Sequence, residues 1–328
     1  MPVKITIIGL GQIGASVGLA LAAHKDKVVT TGHDKEIGNE QRAKKLGAVD
    51  QTNHNLPASV ENADLVLLAL PISEIRDTFR YIAQDLRKDV VVVDTAPVKA
   101  EVVKWAREFL PETAHYVGIA PAIGAKHLAG TETGLDSARA DLFTKGVFLV
   151  STPPGVPGEA VKLVSDLIDL LGATPVLTDF VESDGLMTSV HLLPQLISAA
   201  LLNATIGQPG WSDLRKTASR NFYAATAALA DSDGVEALGM ATIHNRENTI
   251  RSLNNFINAL IDLRDDLEEN EDSFRKRLSS ALNGRINWLL ERNKAEWTQM
   301  PDEKVERPSM METLLGSKLG KMGRPKDG

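Results

Sequence analysis

The 328-residue sequence contains no cysteine. Disulfide staples, thiolate nucleophiles and sulfur-ligated zinc are therefore excluded, and a reducing compartment such as the cytoplasm suits the chain. Positive charge is not in excess either: 36 Lys and Arg stand against 43 Asp and Glu, a formal net charge of −7. That balance favours solubility and argues against bulk attraction to nucleic acid. The sequence passes from Met1-Pro2-Val3-Lys4 straight into apolar alternation, without the cationic segment, apolar core and small-residue cleavage site of a secretory signal. The most apolar long window, residues 186–206, is interrupted by His191, Pro194, Gln195 and Asn203, and is expected to be a buried bundle helix rather than a membrane span. The expectation is a cytoplasmic protein with no membrane or nucleic-acid partner and no metal. No internal repeat is visible.

What is present in the first half is alternation. The runs VKITIIG, KVVTTGHD, ADLVLLALP, DVVVVDT and GVFLVST are strand-like, with helical patterns between them. This predicts a doubly wound parallel sheet in an α/β domain, with the continuous valines 90–93 as a central strand buried on both faces. A last helix and strand, 157–171 and 174–177, close it. From Asp179 the strand signals stop, and helical patterns cover 186–206, 211–229, 235–267 and 274–293. The predicted organisation is a dinucleotide-binding domain at 1–178, an all-α substrate and dimerisation domain at 179–297, and a mobile basic tail at 298–328. Leu253, Phe256, Ile257, Leu260 and Leu263 recur at spacings of three and four, so that helix needs a partner face, and a homodimer is expected.

The first strand runs into Gly9-Leu10-Gly11-Gln12-Ile13-Gly14, followed by a helix pattern. In a strand–loop–helix context Gly9 permits the tight turn, Gly11 lets backbone approach a pyrophosphate, and Gly14 lets the helix pack on the strand. The helix amino terminus adds free N–H groups and a partial positive charge. Asp34, twenty residues after Gly14 at the end of the next strand, can accept a hydrogen bond from a ribose 2′-hydroxyl and repels a 2′-phosphate. NAD is therefore the expected cofactor, with His33 and Lys35 leaving NADP open. Ligands bind outside the carboxyl ends of parallel strands, which adds Leu70, Pro71 and Asp94 to the cofactor residues. Pro97 fits the first turn of a helix capped by Asp94 or Thr95, with Lys99 in that turn.

The order of these landmarks resembles the prephenate/arogenate dehydrogenase family of tyrosine biosynthesis, over roughly residues 3–265. The resemblance rests on GLGQIGAS, ADLVLLALP, DTAPVK, YVGIAPAIG, SVHLLPQL and the His244-Asn245-Arg246 stretch. It implies an amino-terminal Rossmann domain, a helical dimerisation domain, and oxidative decarboxylation of a cyclohexadienol acid with hydride passed to NAD(P). It also exposes departures. The family's substrate-binding histidine falls on Ala120, its strand-end serine on Pro97, one helix histidine on Gln195 and the other on Leu192, unless a one-residue slip brings in His191. The arginine that holds a substrate carboxylate falls on Ala227. YVGIAPAIG, residues 116–124, is expected to be a small-residue turn over the crevice with no group able to carry a proton.

The titratable residues left near the crevice by this topology are Lys99, His115, Lys126, His127 and His191. His191 and Lys99 are the expected catalytic residues, and Arg220, Arg246 and Lys126 the expected anchors for a carboxylate substrate. Two functions follow. One is an NAD(P)-dependent dehydrogenase of this family with a rebuilt or altered substrate site. The other is a dimeric nicotinamide-binding sensor or partner protein that has lost catalysis.

Overall fold

The computed structural model describes residues 2–297 apart from Thr131, Asp231 and Ser232. The expected tail at 298–328 lies outside the described residues. Strand and helix alternate from the start: β1 (Val3–Ile8), α1 (Gln12–Leu21), β2 (Val28–His33), α2 (Ile37–Leu46), a two-residue β3 (Gln51–Thr52), α3 (Leu56–Val60), β4 (Leu65–Leu68), α4 (Ile72–Ile82), β5 (Val91–Asp94), α5 (Val102–Phe109), β6 (His115–Ala122), β7 (Val147–Ser151), α6 (Gly158–Leu170) and β8 (Thr174–Leu177). The described strands form one sheet in the order β3-β2-β1-β4-β5-β6-β7-β8. The order reverses at β1, which lies between β2 and β4.

β4 and β5 are buried along their whole length. Because successive side chains face opposite ways, Leu65, Leu67, Val91 and Val93 join one apolar cluster while Val66, Leu68 and Val92 join the other. Each such side chain contributes about 1.5–3 kcal/mol on full burial, so the central strands anchor both layers. α4 presents Ile72, Ile75, Phe79 and Ile82 to the second cluster at helical spacing.

Two expectations about the sheet need correction. It is not parallel throughout, since β6 and β7 pair antiparallel with Ala120 opposite Leu149. Among the described residues the connection at 123–146 carries two short 3-10 turns and no crossover helix, and the chain folds back on itself. Further, most of YVGIAPAIG is strand rather than turn, with β6 running to Ala122.

After Leu177 the described residues are helical: α7 (Phe180–Met187), a π-helical turn (Thr188–Leu192), α8 (Leu193–Ile206), α9 (Trp211–Thr217), α10 (Arg220–Thr226), α11 (Gly234–His244), α12 (Arg246–Glu269) and α13 (Glu271–Lys294). The change to all-helix falls inside one compact unit that extends to Ala295. Two stretches read as single helices are broken. Ala218 and Ser219 adopt non-helical backbone between α9 and α10. Asn245 (φ −116°, ψ 38°) breaks α11 from α12 because its side chain turns inward, donating to the Asp184 carbonyl and the Thr188 hydroxyl. The window at 186–206 is not the buried helix expected: within one chain Leu186, Val190 and Ile206 are exposed, and the buried residues of α8 are Gln195 and Ser198.

Candidate active site

The glycine loop stands at the point where the sheet order reverses. Gly9 follows β1 with φ +91°, and a Cβ there would lie 2.3 Å from the Ala69 carbonyl oxygen at the end of β4. A Cβ on Gly14 would lie 1.9 Å from the Gly9 carbonyl oxygen, so no larger residue lets α1 pack this closely. A Cβ on Gly11 would meet nothing within 4 Å. The first two glycines close the loop and the third leaves space, which is the shape a pyrophosphate needs. Gly11 caps α1 with no side-chain hydrogen bond, leaving the first-turn N–H groups of Gln12 and Ile13 for an anion.

Asp34 is tied to this loop directly, its Oδ2 accepting the Leu10 N–H at 2.8 Å. Its Oδ1 accepts from the Glu36 N–H and the Asn39 amide. The carboxylate is thus aimed before any ligand arrives, with one lone pair of Oδ2 left for a hydroxyl. Behind it the buried Glu40 accepts the Asp34 N–H at 3.0 Å and lies 3.2 Å from His54 Nδ1. His33, Glu40 and His54 bring possible metal-ligand atoms within 4.8 Å of one another, a grouping not anticipated from the sequence. The hydrogen bonds of Glu40, and that between His33 Nδ1 and the Asn53 carbonyl, account for the cluster without an ion. Lys35, which left NADP open, is paired with Glu74 at 2.6 Å, a contact that raises its pKa. Leu70 and Pro71 leave the end of β4 beside Gly9, and the Leu70 side chain comes within 2.9 Å of the Gly9 Cβ position.

Asp94 and Lys99 are fully buried, with Lys99 Nζ 2.6 Å from Asp94 Oδ1 and 3.0 Å from its carbonyl oxygen. Asp94 Oδ1 also accepts the Ala96 N–H, and Oδ2 accepts the Tyr116 hydroxyl at 2.6 Å. No helix begins at Pro97: α5 starts at Val102, and the carboxylate of Asp184 on α7 instead accepts the Lys99 and Ala100 N–H groups at 2.5 and 3.1 Å. Burial pulls the Lys99 ammonium down against the opposing pull of Asp94, and pushes the Tyr116 phenol well up. Burial also raises the Asp184 carboxyl, against the two N–H groups that favour its charge. Asp94 therefore stands as a counter-ion rather than at the surface of the crevice, and Lys99 touches it rather than solvent.

This network adjoins the strand that carries Ala120. Tyr116, Gly118 and Ala120 share one face of β6, and a Cβ on Gly118 would lie 2.8 Å from Lys99 Cδ and 2.9 Å from the Tyr116 hydroxyl. Gly118 is the space that Lys99 and Tyr116 occupy. Tyr116 and Asp184 were missed from sequence, and Asn245 was noted only as part of the family-like His244-Asn245-Arg246 stretch. Reading 115–122 as a strand would have pointed Tyr116 towards Lys99.

From the helical side, Asn245 holds the Asp184 carbonyl at 3.0 Å, so Arg246 begins α12 beside the same network; its exposed guanidinium has no ion-pair partner among the described residues. His191 sits in the π turn, with the Gln195 amide on its carbonyl at 3.1 Å and 3.4 Å from its Nε2. Such turns displace side chains from α-helical register and recur at functional sites. The next residue, Leu192, is buried in the cluster that contains Tyr116. Ser183, adjacent to Asp184, is the one buried side chain among the described residues whose oxygen finds no partner.

Other expected residues lie elsewhere. Lys126 and His127 both pair with Asp141, at 2.5 and 3.1 Å, on a short exposed turn, and Lys126 holds the Asp141 carboxyl below its usual range. His115 starts β6, at the opposite end of the sheet from the crevice. Arg220 starts α10 beside Thr205, thirteen residues along the helix from Leu192, or about 20 Å at 1.5 Å per residue. Within one chain it does not meet the Asp94 network.

Comparisons with known proteins agree with this architecture. The family model for the prephenate dehydrogenase nucleotide-binding domain matches residues 17–177. The chain is 30% identical over 204 residues to cyclohexadienyl dehydrogenase of Zymomonas mobilis, covering 62% of this chain and 67% of that one. It is 26% identical over 204 residues to prephenate dehydrogenase of Bacillus subtilis, covering 61% of this chain and 53% of the relative. Its fold is like that of prephenate dehydrogenase from A. aeolicus, solved in complex with hydroxyphenyl propionate and NAD+, with TM-score 0.76 and 22% identity over 88% of this chain and 98% of that one. With the glycine loop and Asp34 in place and a relative of this identity matched over two thirds of its length, the chain belongs to the prephenate dehydrogenase family of NAD-dependent oxidoreductases.

Proposed function

We propose that the protein oxidises a prephenate-like cyclohexadienol acid, prephenate or arogenate, with loss of its ring carboxylate, using NAD rather than NADP. The observation that carries the reading is the preformed cradle: Gly11 open towards solvent, and Asp34 fixed to the loop through the Leu10 N–H. NAD, when bound, takes up the hydride. The chain's own part is to hold the cofactor at Gly9, Leu10, Gly11, Gln12, Ile13 and Gly14, to orient its ribose at Asp34, and to flank it with Leu70 and Pro71. His191 takes the substrate hydroxyl proton in place of the imidazole absent at Ala120, and Arg246 pairs with a substrate carboxylate. Lys99 and Asp94 act as positioning residues, fixing the 95–100 loop and the Tyr116 face of β6. The π turn supports the role of His191, and the exposed guanidinium of Arg246, without an ion-pair partner among the described residues, supports that of Arg246.

In this reading the region from 179 on is a distinct substrate and dimerisation domain, and the working form is a cytoplasmic homodimer without nucleic-acid or membrane partners. Leu260, Leu267, Leu278, Leu282, Ile286 and Leu290 leave an exposed apolar surface on α12 and α13, where a second copy would bury it. Phe180–Ile206 is long and apolar enough to cross a membrane. We assign its uncovered face to the same dimer.

The test is NADH formation from prephenate and from arogenate, with NAD and with NADP, for the parent chain and for Ala120→His and His191→Gln. Turnover by the parent, reduced about 10²–10⁴-fold by His191→Gln, is the expected result. The alternative, a nicotinamide-binding protein retired from catalysis, draws its support from Ala120 and Ala227. Silence of the parent with both acids, while NADH still binds, would establish it and overturn the first reading.

A further inference from the structure

Two walls border the glycine loop. In the sheet β1 lies between β2 and β4, so the residues that follow β2 and those that open α4 stand on either side of the end of β1, two strand spacings or about 10 Å apart. Asp34 belongs to the first wall and Leu70 and Pro71 to the second. An ion pair joins the walls, with Lys35 Nζ 2.6 Å from Glu74 Oε1. Glu74 is half-buried in the first turn of α4, its N–H bonded to the Pro71 carbonyl at 2.9 Å, while Lys35 is exposed and reaches across to it.

The charge around Asp34 is otherwise acidic. Glu36 follows two residues later, and the buried Glu40 accepts the Asp34 N–H at 3.0 Å. The nearby imidazoles are turned to other partners, His33 to the Asn53 carbonyl and His54 to Glu40. The arginines of α4 are engaged elsewhere, Arg76 by Glu108 and Arg80 by Asp77. Lys35 is thus the cation placed to neutralise a phosphate at Asp34, and Glu74 already holds it. The hydrogen bond and charge of Glu74 raise the Lys35 pKa, with Asp34 and Glu36 adding to the effect.

A 2′-phosphate brings about −1.5 to −2 of charge to this point, so it needs a cation that a 2′-hydroxyl does not. It can take Lys35 only by displacing the Glu74 carboxylate, which then remains beside it as a like charge. We propose that Glu74 is a specificity-determining residue for the cofactor: by engaging Lys35 it denies a 2′-phosphate its counter-ion, and so sets the preference for NAD together with Asp34. The inference rests on the NAD reading above and extends it to a residue that acts through Lys35.

The experiment titrates the full chain with NADH and with NADPH, by nicotinamide fluorescence at fixed ionic strength, in the parent, Glu74→Gln, Lys35→Met and the double variant. The expected result is a rise of about fivefold or more in the NADPH-to-NADH affinity ratio of Glu74→Gln, the upper scale of one exposed ion pair. The double variant loses that gain, because the lysine that Glu74→Gln releases is gone. A ratio in Glu74→Gln equal to the parent's would overturn the proposal, and so would a gain that persists in the double variant. A parent that binds neither nucleotide would defeat the NAD reading itself, whereas NADH binding with an unmoved ratio defeats the role of Glu74 alone.

Discussion

Replacing Lys99 with methionine tests whether the Asp94–Lys99 pair organises the loop beneath Ala120. Both side chains are fully buried, and Nζ reaches Asp94 Oδ1 at 2.6 Å. Methionine keeps most of the unbranched stem, so little packing is lost and the cation is the main thing removed. What remains is a buried carboxylate with the Tyr116 hydroxyl on Oδ2 and the Ala96 N–H on Oδ1. Removing one partner of a buried pair costs about 3–5 kcal/mol, chiefly because the other charge is stranded. Against a typical margin of about 5–15 kcal/mol that is a large share of the stability. Asp94→Asn strands the ammonium instead, whereas the double variant strands neither, so its loss should fall short of the sum by about 1–3 kcal/mol. Urea unfolding of the four proteins, followed by circular dichroism with midpoint and slope fitted together, measures this coupling. Strict additivity, or a Lys99→Met protein within about 1 kcal/mol of the parent, would refute the reasoning.

Gly11→Ala should leave the unfolding midpoint unchanged, since its Cβ meets nothing within 4 Å, yet weaken NADH binding about tenfold or more by filling the space left for the pyrophosphate. Asp184 has its folded pKa raised by burial, so its contribution to stability is fully present below 3.8 and is lost as pH rises through the folded value. Asp184→Asn should therefore flatten the stability–pH curve just above pH 3.8, and an unchanged slope in acid denaturation profiles would count against it. Sedimentation equilibrium should give a dimer for the parent, and Leu282→Glu, placing a charge on the exposed face of α13, should shift it towards monomer without loss of helix content.

The strands with two apolar faces were readable from sequence because their composition has one good explanation: the valines of 90–93 must be covered above and below, and they are. The glycine loop was readable for a similar reason, as each glycine answers a separate steric demand that Cβ positions of 1.9 and 2.3 Å from backbone oxygens make explicit. The helix breaks were not. Nothing local distinguishes Asn245 from a helix-interior asparagine until Asp184 and Thr188, about sixty residues earlier, supply the groups its side chain turns to meet. The position of Arg220 was likewise hidden, because the distance between it and the crevice is set by the whole length of α8.

β6 shows why the site was the harder half. Gly118, Ala120 and Pro121 are poor strand formers, and so the segment reads as a turn. They are tolerated because the strand is held on both sides, by β5 and β7, and because Lys99 and Tyr116 fill the room a larger residue at 118 would take. The feature that conceals the strand is thus the feature that admits the buried network. The same logic bears on Ala120. It lies on the Tyr116 face of a strand fixed by its neighbours, and its backbone does not depend on the side chain it carries. A change of side chain at that position leaves the architecture standing, which is why membership of the family is legible in the fold and loop while the proposal that His191 accepts the proton has to be tested by mutation.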